Sequence, residues 1–313
     1  MARRYSNLNP GHLPNGFIDI LRWGVIDRLV GRRRRQPPGP AAPSVRAEPT
    51  RFDTDDPVPR LTWIGHASFL ISFGGHHVLL DPVFSKRIAT VVKRHCPAGL
   101  EPSQLPPLSA VLVSHCHYDH LDLPSIRALA PAVPVVVPLG LASMLRGCGR
   151  ERVIELDWWE SIDLEDARVT LVPSRHWSRR GLFDTNRSLW GGYVVETPTG
   201  SIYHAGDSAW FDGFATIGER FTNLLAALLP IGAYDPGWFM EKHHLNPEQA
   251  GEAFLALGAR HLVPMHWGTF RLTDEPLSEP IERIRRWWDT QDRAGKRLHC
   301  LSVGETIALG DGA

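Results

Sequence analysis

Cysteine is scarce in this chain of 313 residues, and Cys96, Cys116, Cys148 and Cys300 stand far apart with no C-x-x-C pair. That spacing excludes a disulfide framework and a thiolate zinc knuckle, and it fits a reducing, cytoplasmic setting. Net charge is missing too. Lys+Arg and Asp+Glu both number 34, so the chain as a whole is not built for nonspecific adhesion to nucleic acid. No uninterrupted apolar run approaches the roughly 20 residues of a membrane span. The most apolar N-terminal stretch, residues 17–30, is broken by Asp19, Arg22, Asp27 and Arg28, so no secretion signal is expected. A hydrophobic content of 43% excludes disorder throughout and is enough for one large domain or two small ones.

The neutral total hides an asymmetry. Residues 1–35 carry eight arginines against Asp19 and Asp27, a sum of +6, so residues 36–313 sum to −6. The proline-rich run Gln36-Pro37-Pro38-Gly39-Pro40-Ala41-Ala42-Pro43 cannot sustain a helix and reads as an extended linker. Residues 1–58 are therefore expected to be a basic extension and linker, and residues 59–313 the catalytic domain. Residues 17–35 read as a helix with a basic tail. Packing on the body with a solvated charge run is the plainer reading, and peripheral contact with the anionic inner membrane surface the sharper one.

From residue 60 onward short apolar runs recur, such as residues 61–64, 69–73, 78–80, 110–113, 135–137, 169–172, 202–203, 225–229 and 262–263. They read as strands, with helical stretches at 124–130, 139–145, 247–257 and 279–290 between them, so the pattern is mixed α/β. Asn246, Pro247 and Gln249 form an N-cap, first-turn proline and capping box.

What the chain has in excess is histidine, 15 in all, and imidazole is the commonest metal ligand. The strongest cluster is Ser114-His115-Cys116-His117-Tyr118-Asp119-His120, directly after the apolar run 110–113. In an extended stretch side chains at i and i+2 point the same way, so His115 and His117 can grip one metal while the turn presents Asp119 and His120 to a second. Cys116 points oppositely and reads as packing. Three further apolar runs end in potential ligands: residues 169–174 lead to His176, 201–205 to Asp207 and 261–265 to His266. Strands of common polarity would bring these ends to one edge, where α/β proteins assemble their sites.

The motif H-x-H-x-D-H, followed by a distant His, Asp and His, resembles that of the metallo-β-lactamase-fold hydrolases over most of residues 60–270. Together with the mixed pattern, the resemblance implies an α/β four-layer αββα sandwich. It implies that His115, His117 and His176 hold a first divalent ion, Asp119, His120 and His266 a second, and Asp207 bridges them; the ions are read as zinc, although His/Asp ligation also suits iron and manganese. Thr62-Trp63-Ile64-Gly65-His66-Ala67, Leu80-Asp81-Pro82-Val83-Phe84-Ser85, Ser174-Arg175-His176-Trp177, Leu189-Trp190-Gly191-Gly192, the run Pro230 to Pro236, Trp238-Phe239-Met240, His244 and His266-Trp267-Gly268-Thr269-Phe270 resemble the branch containing N-acyl-phosphatidylethanolamine-hydrolysing phospholipase D. That implies a phosphodiesterase acting on a phospholipid through a hydroxide held between the metals. No motif in residues 1–58 aligns with that branch.

Around the ligands, Asp81 is placed to accept the free N–H of a ligating imidazole. His66 and His244 are candidates for substrate contact or leaving-group protonation, with His244, like Asp207, read as catalytic. Trp177 and Trp238 are candidate aromatic walls, and among Arg175, Arg179 and Arg180 one, Arg179 for instance, would grip a phosphate. A lactonase of the ascorbate-6-phosphate type shares the Gly-His-Ala opening and remains an alternative. A nonenzymatic metal-binding or membrane-associated module is another, opposed by seven ligands where structural zinc takes four. A β-lactamase would carry Arg or Cys where His120 and Asp207 stand, and a nuclease would want a basic surface. The expected substrate is a small molecule or phospholipid; the oligomeric state is open.

Overall fold

The computed structural model describes residues 4–8, 15–33, 37–48, 55–292 and 294–310. The N-terminal segment makes α1 (Phe17–Leu21), a wider π-type turn over Arg22–Ile26 and α2 (Asp27–Leu29). Arg34 and Arg35, the end of the expected basic tail, lie outside the described residues. From Pro37 onward the proline-rich run forms no helix and, with the residues just after it, lies on the body: Ala42 N–H bonds to Gly268 O, Leu277 N–H to Pro38 O and Val45 N–H to Val303 O.

The first half of the body contains β1 (Arg60–Gly65), β2 (Ser68–Phe73), β3 (His76–Leu80), the hairpin β4 (Arg87–Ile88) and β5 (Val92–Lys93), β6 (Ala110–Leu112), α3 (Leu123–Arg127), β7 (Val135–Pro138), α4 (Ala142–Gly147) and β8 (Val153–Leu156). The second half contains β9 (Ser161–Leu164), β10 (Ala167–Val172), β11 (Gly192–Thr197), β12 (Gly200–His204), α5 (Gly213–Arg220), β13 (Leu224–Pro230), α6 (Gly237–Met240), α7 (Pro247–Leu257), β14 (His261–Met265), α8 (Glu279–Asp289), β15 (Arg297–Leu298) and β16 (Thr306–Ala308). Two seven-stranded sheets result, ordered β16-β1-β2-β3-β6-β7-β8 and β15-β14-β13-β12-β11-β10-β9. Each is antiparallel over three neighbouring pairs and parallel over the other three.

Alternation along the strands builds the layers. Phe69, Ile71, Ala110 and Leu112 enter the large core between the sheets, whereas Leu70, Val111 and Val113 turn to the outer face and meet Ile126 of α3 and Leu145 of α4. Both faces of these strands are buried, which is why they read as unbroken apolar runs. On the other side α7 packs on β13 and is flanked by α5 and α8. The architecture is the αββα sandwich.

The α7–α8 contact is close enough to forbid a methyl group. A Cβ at Gly251 would fall 2.5 Å from the Trp287 ring, and that ring is buried. Gly251→Ala is expected to lose up to about 2 kcal/mol of stability, because overpacking costs about 1–3 kcal/mol and helix propensity returns roughly 1 kcal/mol. Urea denaturation checks it, with hydrolytic activity unchanged below the transition.

Candidate metal centre

The parallel arrangement gives β3, β6, β12 and β14 ends that reach the same edge, and β1 and β10 share that polarity through their antiparallel partners. Just past those ends stand His66, Asp81, His115 to His120, His176, Asp207 and His266. The turns there are tight. His66, Asp81 and His266 have φ of 57°, 40° and 63°, unusual for residues other than glycine, and such conformations concentrate where a side chain must be aimed. Gly206, at φ 59°, lets the chain before Asp207 pass Ser114 where a Cβ would meet the Ser114 Cβ at 2.7 Å.

All seven expected ligands converge. His115 Nε2 lies 2.8 Å from His117 Nδ1, and His176 Nε2 lies 3.2 Å from that same atom. Asp207 Oδ2 is 3.8 Å from both His115 Nε2 and His176 Nε2. These four offer ligand atoms all within 4.8 Å of one another. A second such set is His66, Asp119, His120 and His266. Asp207 faces both sets, with Oδ2 3.2 Å from His120 Nε2 and Oδ1 3.2 Å from His266 Nε2. Ligand atoms roughly 3.3 Å apart are what bond lengths of about 2.0–2.1 Å around a tetrahedral ion require.

The protonation pattern and unpaired atoms also fit cations. Burial is the largest influence and opposes the charge on Asp119 and Asp207, yet the surrounding imidazoles hold both carboxyls well below their ordinary range. Burial pushes His115 and His176 well down and His117 down to about 4, leaving neutral imidazoles with free lone pairs. At His120 and His266 burial is outweighed by the carboxylates, which raise His120 well above its ordinary value and His266 to about 9. Two buried carboxylates thus demand positive charge between them, as protons or as metal ions. His120 Nε2 and Asp207 Oδ1 are buried without hydrogen-bond partners, a state that metal ligation relieves.

A supporting shell fixes the rings. Asp81 Oδ2 lies 2.7 Å from His120 Nδ1, and Asp81 accepts from Ser114 N–H and Oγ–H at 2.7 Å each. His176 Nδ1–H donates to His243 O at 2.9 Å. Asn7 brackets the backbone of His176, accepting from its N–H and donating to its carbonyl. His204 Nδ1 accepts from Gly206 N–H, so its Nε2–H donates to Ala67 O and sets the turn before Asp207. Asn7, Ser114, His204 and the His243 carbonyl were not singled out in the sequence. Asn7 and the carbonyl carry no motif, while Ser114 and His204 border motif residues and could have been noticed.

His66 sits below the site rather than at its opening. It is fully buried, with Nε2 3.1 Å from Asp119 Oδ2, and its carbonyl accepts from His266 N–H. Burial and the neighbouring His266 push it down to about 3, which leaves it to orient Asp119 and His266 and not to touch substrate. His244 does face the opening, with Nδ1 3.9 Å from Asp207 Oδ2 and burial pushing it down to about 4.

Beside the ligand sets opens a cavity of about 580 Å³ lined by His117, Asp119, Asp207 and His244. Its walls are mostly apolar, among them Ile20, Trp23, Val92, Trp177, Leu182 and Phe239. Trp177 stands 4.8 Å from the His117 ring, and the Arg179 guanidinium lies over Trp177. Trp238 does not join this wall: it lines a separate recess of about 120 Å³ with the Arg22 guanidinium over its ring. Its neighbour Phe239 takes the wall position, because consecutive residues of α6 face about 100° apart. Trp190 and Trp267 are core residues. Arg180 is spent on the carbonyls of Cys116 and Leu121, bracing the ligand loop, and Arg175 on that of Trp210. Cys116 is buried, its thiol pushed up by burial.

The family model described as "Beta-lactamase superfamily domain" matches residues 76–267, the span that holds all seven expected ligands and the four strand ends they follow. The chain belongs to the beta-lactamase superfamily. It is a metal-dependent hydrolase of the metallo-β-lactamase fold. The hydrolase is 36% identical over 294 residues to an uncharacterized protein of Mycobacterium tuberculosis, covering 90% of this chain and 77% of that one. It is 34% identical over 249 residues to N-acyl-phosphatidylethanolamine-hydrolyzing phospholipase D 1 of Caenorhabditis elegans, covering 74% and 70%, which supports that branch. A solved metallo hydrolase of Ignicoccus hospitalis has the same fold, with a TM-score of 0.60, 22% identity and coverage of 80% and 97%.

Proposed function

We propose that the hydrolase is a phosphodiesterase of phospholipids of the N-acyl-phosphatidylethanolamine kind, working with two divalent ions, zinc in the first instance. The observation that carries this is Asp207, one carboxylate facing two ligand sets at the floor of a long apolar cavity. Its relationship to the nematode phospholipase supports the choice of ester.

His115, His117 and His176 would hold one ion, Asp119, His120 and His266 the other, with Asp207 between. When bound, such ions supply an activated water and positive charge for the oxyanion developing on phosphorus. The remaining work belongs to the chain. Asp81 and the His243 carbonyl keep His120 and His176 in one tautomer, with their ligand nitrogens inward. Neutral His244 offers a ring N–H to a phosphoryl oxygen from the cavity floor. Arg179, which lines the cavity beside Trp177, would supply a guanidinium to the headgroup, and the apolar walls would hold acyl carbons while excluding water. Hydrolysis breaks the bond between phosphorus and the ethanolamide oxygen; the water oxygen stays on phosphatidic acid and the proton leaves on the ethanolamide.

The test compares the zinc-loaded protein on bis(p-nitrophenyl) phosphate, N-acyl-phosphatidylethanolamine and a sugar-phosphate lactone. Cleavage of both diesters with release of phosphatidic acid is expected. Turnover of the lactone alone would overturn the proposal in favour of a lactonase, a reading that the apolar walls already disfavour.

A further inference from the structure

The N-terminal segment has two apolar stripes. Ile20, Trp23 and the buried Asp27 face inward: Ile20 and Trp23 line the cavity, Trp23 stacks on Phe239 at 4.9 Å and its Nε1–H bonds to Asp274. Ile18, Leu21, Val25 and Leu29, at spacings of three and four, form the other stripe and point to solvent, with Ile18 and Leu29 78% and 80% exposed. A helical segment anchored by one stripe ordinarily leaves a polar face outward. Here the outward face carries an apolar stripe as well as arginines.

Other exposed apolar side chains gather at the same place. Leu182 and Phe183 are 86% and 80% exposed on a loop that lines the cavity, and Val91 is exposed at the tip of the β4–β5 hairpin, whose flanks line it as well. Among the described residues, every exposed large apolar side chain except Leu8 and Val45 lies on the cavity wall or on one of these three segments around it. The segments also carry exposed Arg22, Arg28, Arg32, Lys86, Arg87 and Lys93, while their acids, Asp19, Asp27 and Asp184, are not exposed, and Asp184 is turned to the backbone N–H groups of Arg180 and Gly181. An apolar rim studded with cations is what an anionic bilayer surface attracts, apolar residues entering the interface and the cations meeting phosphates.

We infer that this rim docks the protein on anionic phospholipid bilayers, with the cavity mouth against the membrane, so that a lipid passes from the bilayer into the cavity without crossing water. The docking surface stands on the exposed side chains and holds whichever ester is cleaved. It is built largely on residues 17–33, outside the matched family span.

The full chain is tested by co-sedimentation with vesicles of phosphatidylcholine, with and without phosphatidylglycerol, beside the triple variant Ile18→Ser, Leu29→Ser, Phe183→Ser, none of which lines the cavity. The native chain is expected to bind the anionic vesicles, less at high salt, and the variant at least about tenfold more weakly, with circular dichroism and turnover of bis(p-nitrophenyl) phosphate unchanged. Equal binding by the two chains, or no binding by the native chain, would overturn the inference. So would a native dimer that the triple substitution makes monomeric while neither binds vesicles, since the rim would then be an interface between copies. Because vesicle binding is read without turnover, failure of the proposed reaction would show separately, as absent diester hydrolysis by a chain that still docks.

Discussion

Asp207→Ala should hydrolyse phosphodiesters at least about a thousandfold more slowly than the native chain. Asp207 is the group through which the two ligand sets meet, with Oδ1 toward His266 and Oδ2 toward His115, His120 and His176. Its removal opens both sets at once. A bound metal supplies several kcal/mol of charge stabilisation, and each 1.36 kcal/mol is about a factor of ten in rate. The fold should survive, because the carboxylate is surrounded by imidazoles and not by the apolar core, and taking it away removes a buried charge. The variant therefore gives a native circular dichroism spectrum with little activity and a reduced metal content. Full activity in this variant would remove Asp207 from the chemistry altogether.

Asp81→Ala has the second largest expected effect, and it acts on both stability and metal affinity. Asp81 is buried and makes no contact with the cavity, yet it accepts from Ser114 N–H, Ser114 Oγ–H and His120 Nδ1–H. Alanine strands these donors without water to replace the carboxylate, at a cost of about 2–4 kcal/mol. It also releases the His120 ring from its tautomer, which lowers metal affinity about 10–100-fold in comparable arrangements. Asp81→Asn separates the two effects. The amide keeps one acceptor and the volume, so most stability returns, but its NH2 cannot accept the second set of protons and metal affinity stays low. Thermal denaturation of metal-free protein and competition with a chromogenic chelator measure the two separately. Unchanged affinity in both variants would make Asp81 a turn former only.

The candidate metal cage is legible because its expected ligands follow buried strands. Residues 110–113, 169–172 and 261–265 are buried on both faces and mostly apolar, so each strand announces itself, and the His or Asp just past its end stands out. The helix at Pro247–Leu257 begins where Asn246 and Gln249 exchange hydrogen bonds, and it ends at Gly258 with φ 68°, all of it local chemistry. Edge strands were less visible. Val153–Leu156, Ser161–Leu164 and Thr306–Ala308 are only half buried and carry mixed residues, so their pairing is decided by neighbours distant in sequence. The supporting shell was partly hidden for the same reason. Asn7 reaches His176 across 169 residues and His243 contributes only its carbonyl, and neither contact leaves a pattern in the chain. Trp238, the wall residue expected from the sequence, is one residue away from Phe239, which lines the cavity, since adjacency in sequence does not say which way a short helix turns.

Two ligand sets sharing Asp207 would hold two ions, and metal content measures this directly. Protein loaded with zinc, dialysed and analysed by inductively coupled plasma mass spectrometry should contain two ions per chain, and Asp119→Ala should retain one, held by His115, His117 and His176. One ion or none in the native chain, or two in Asp119→Ala, would contradict the account.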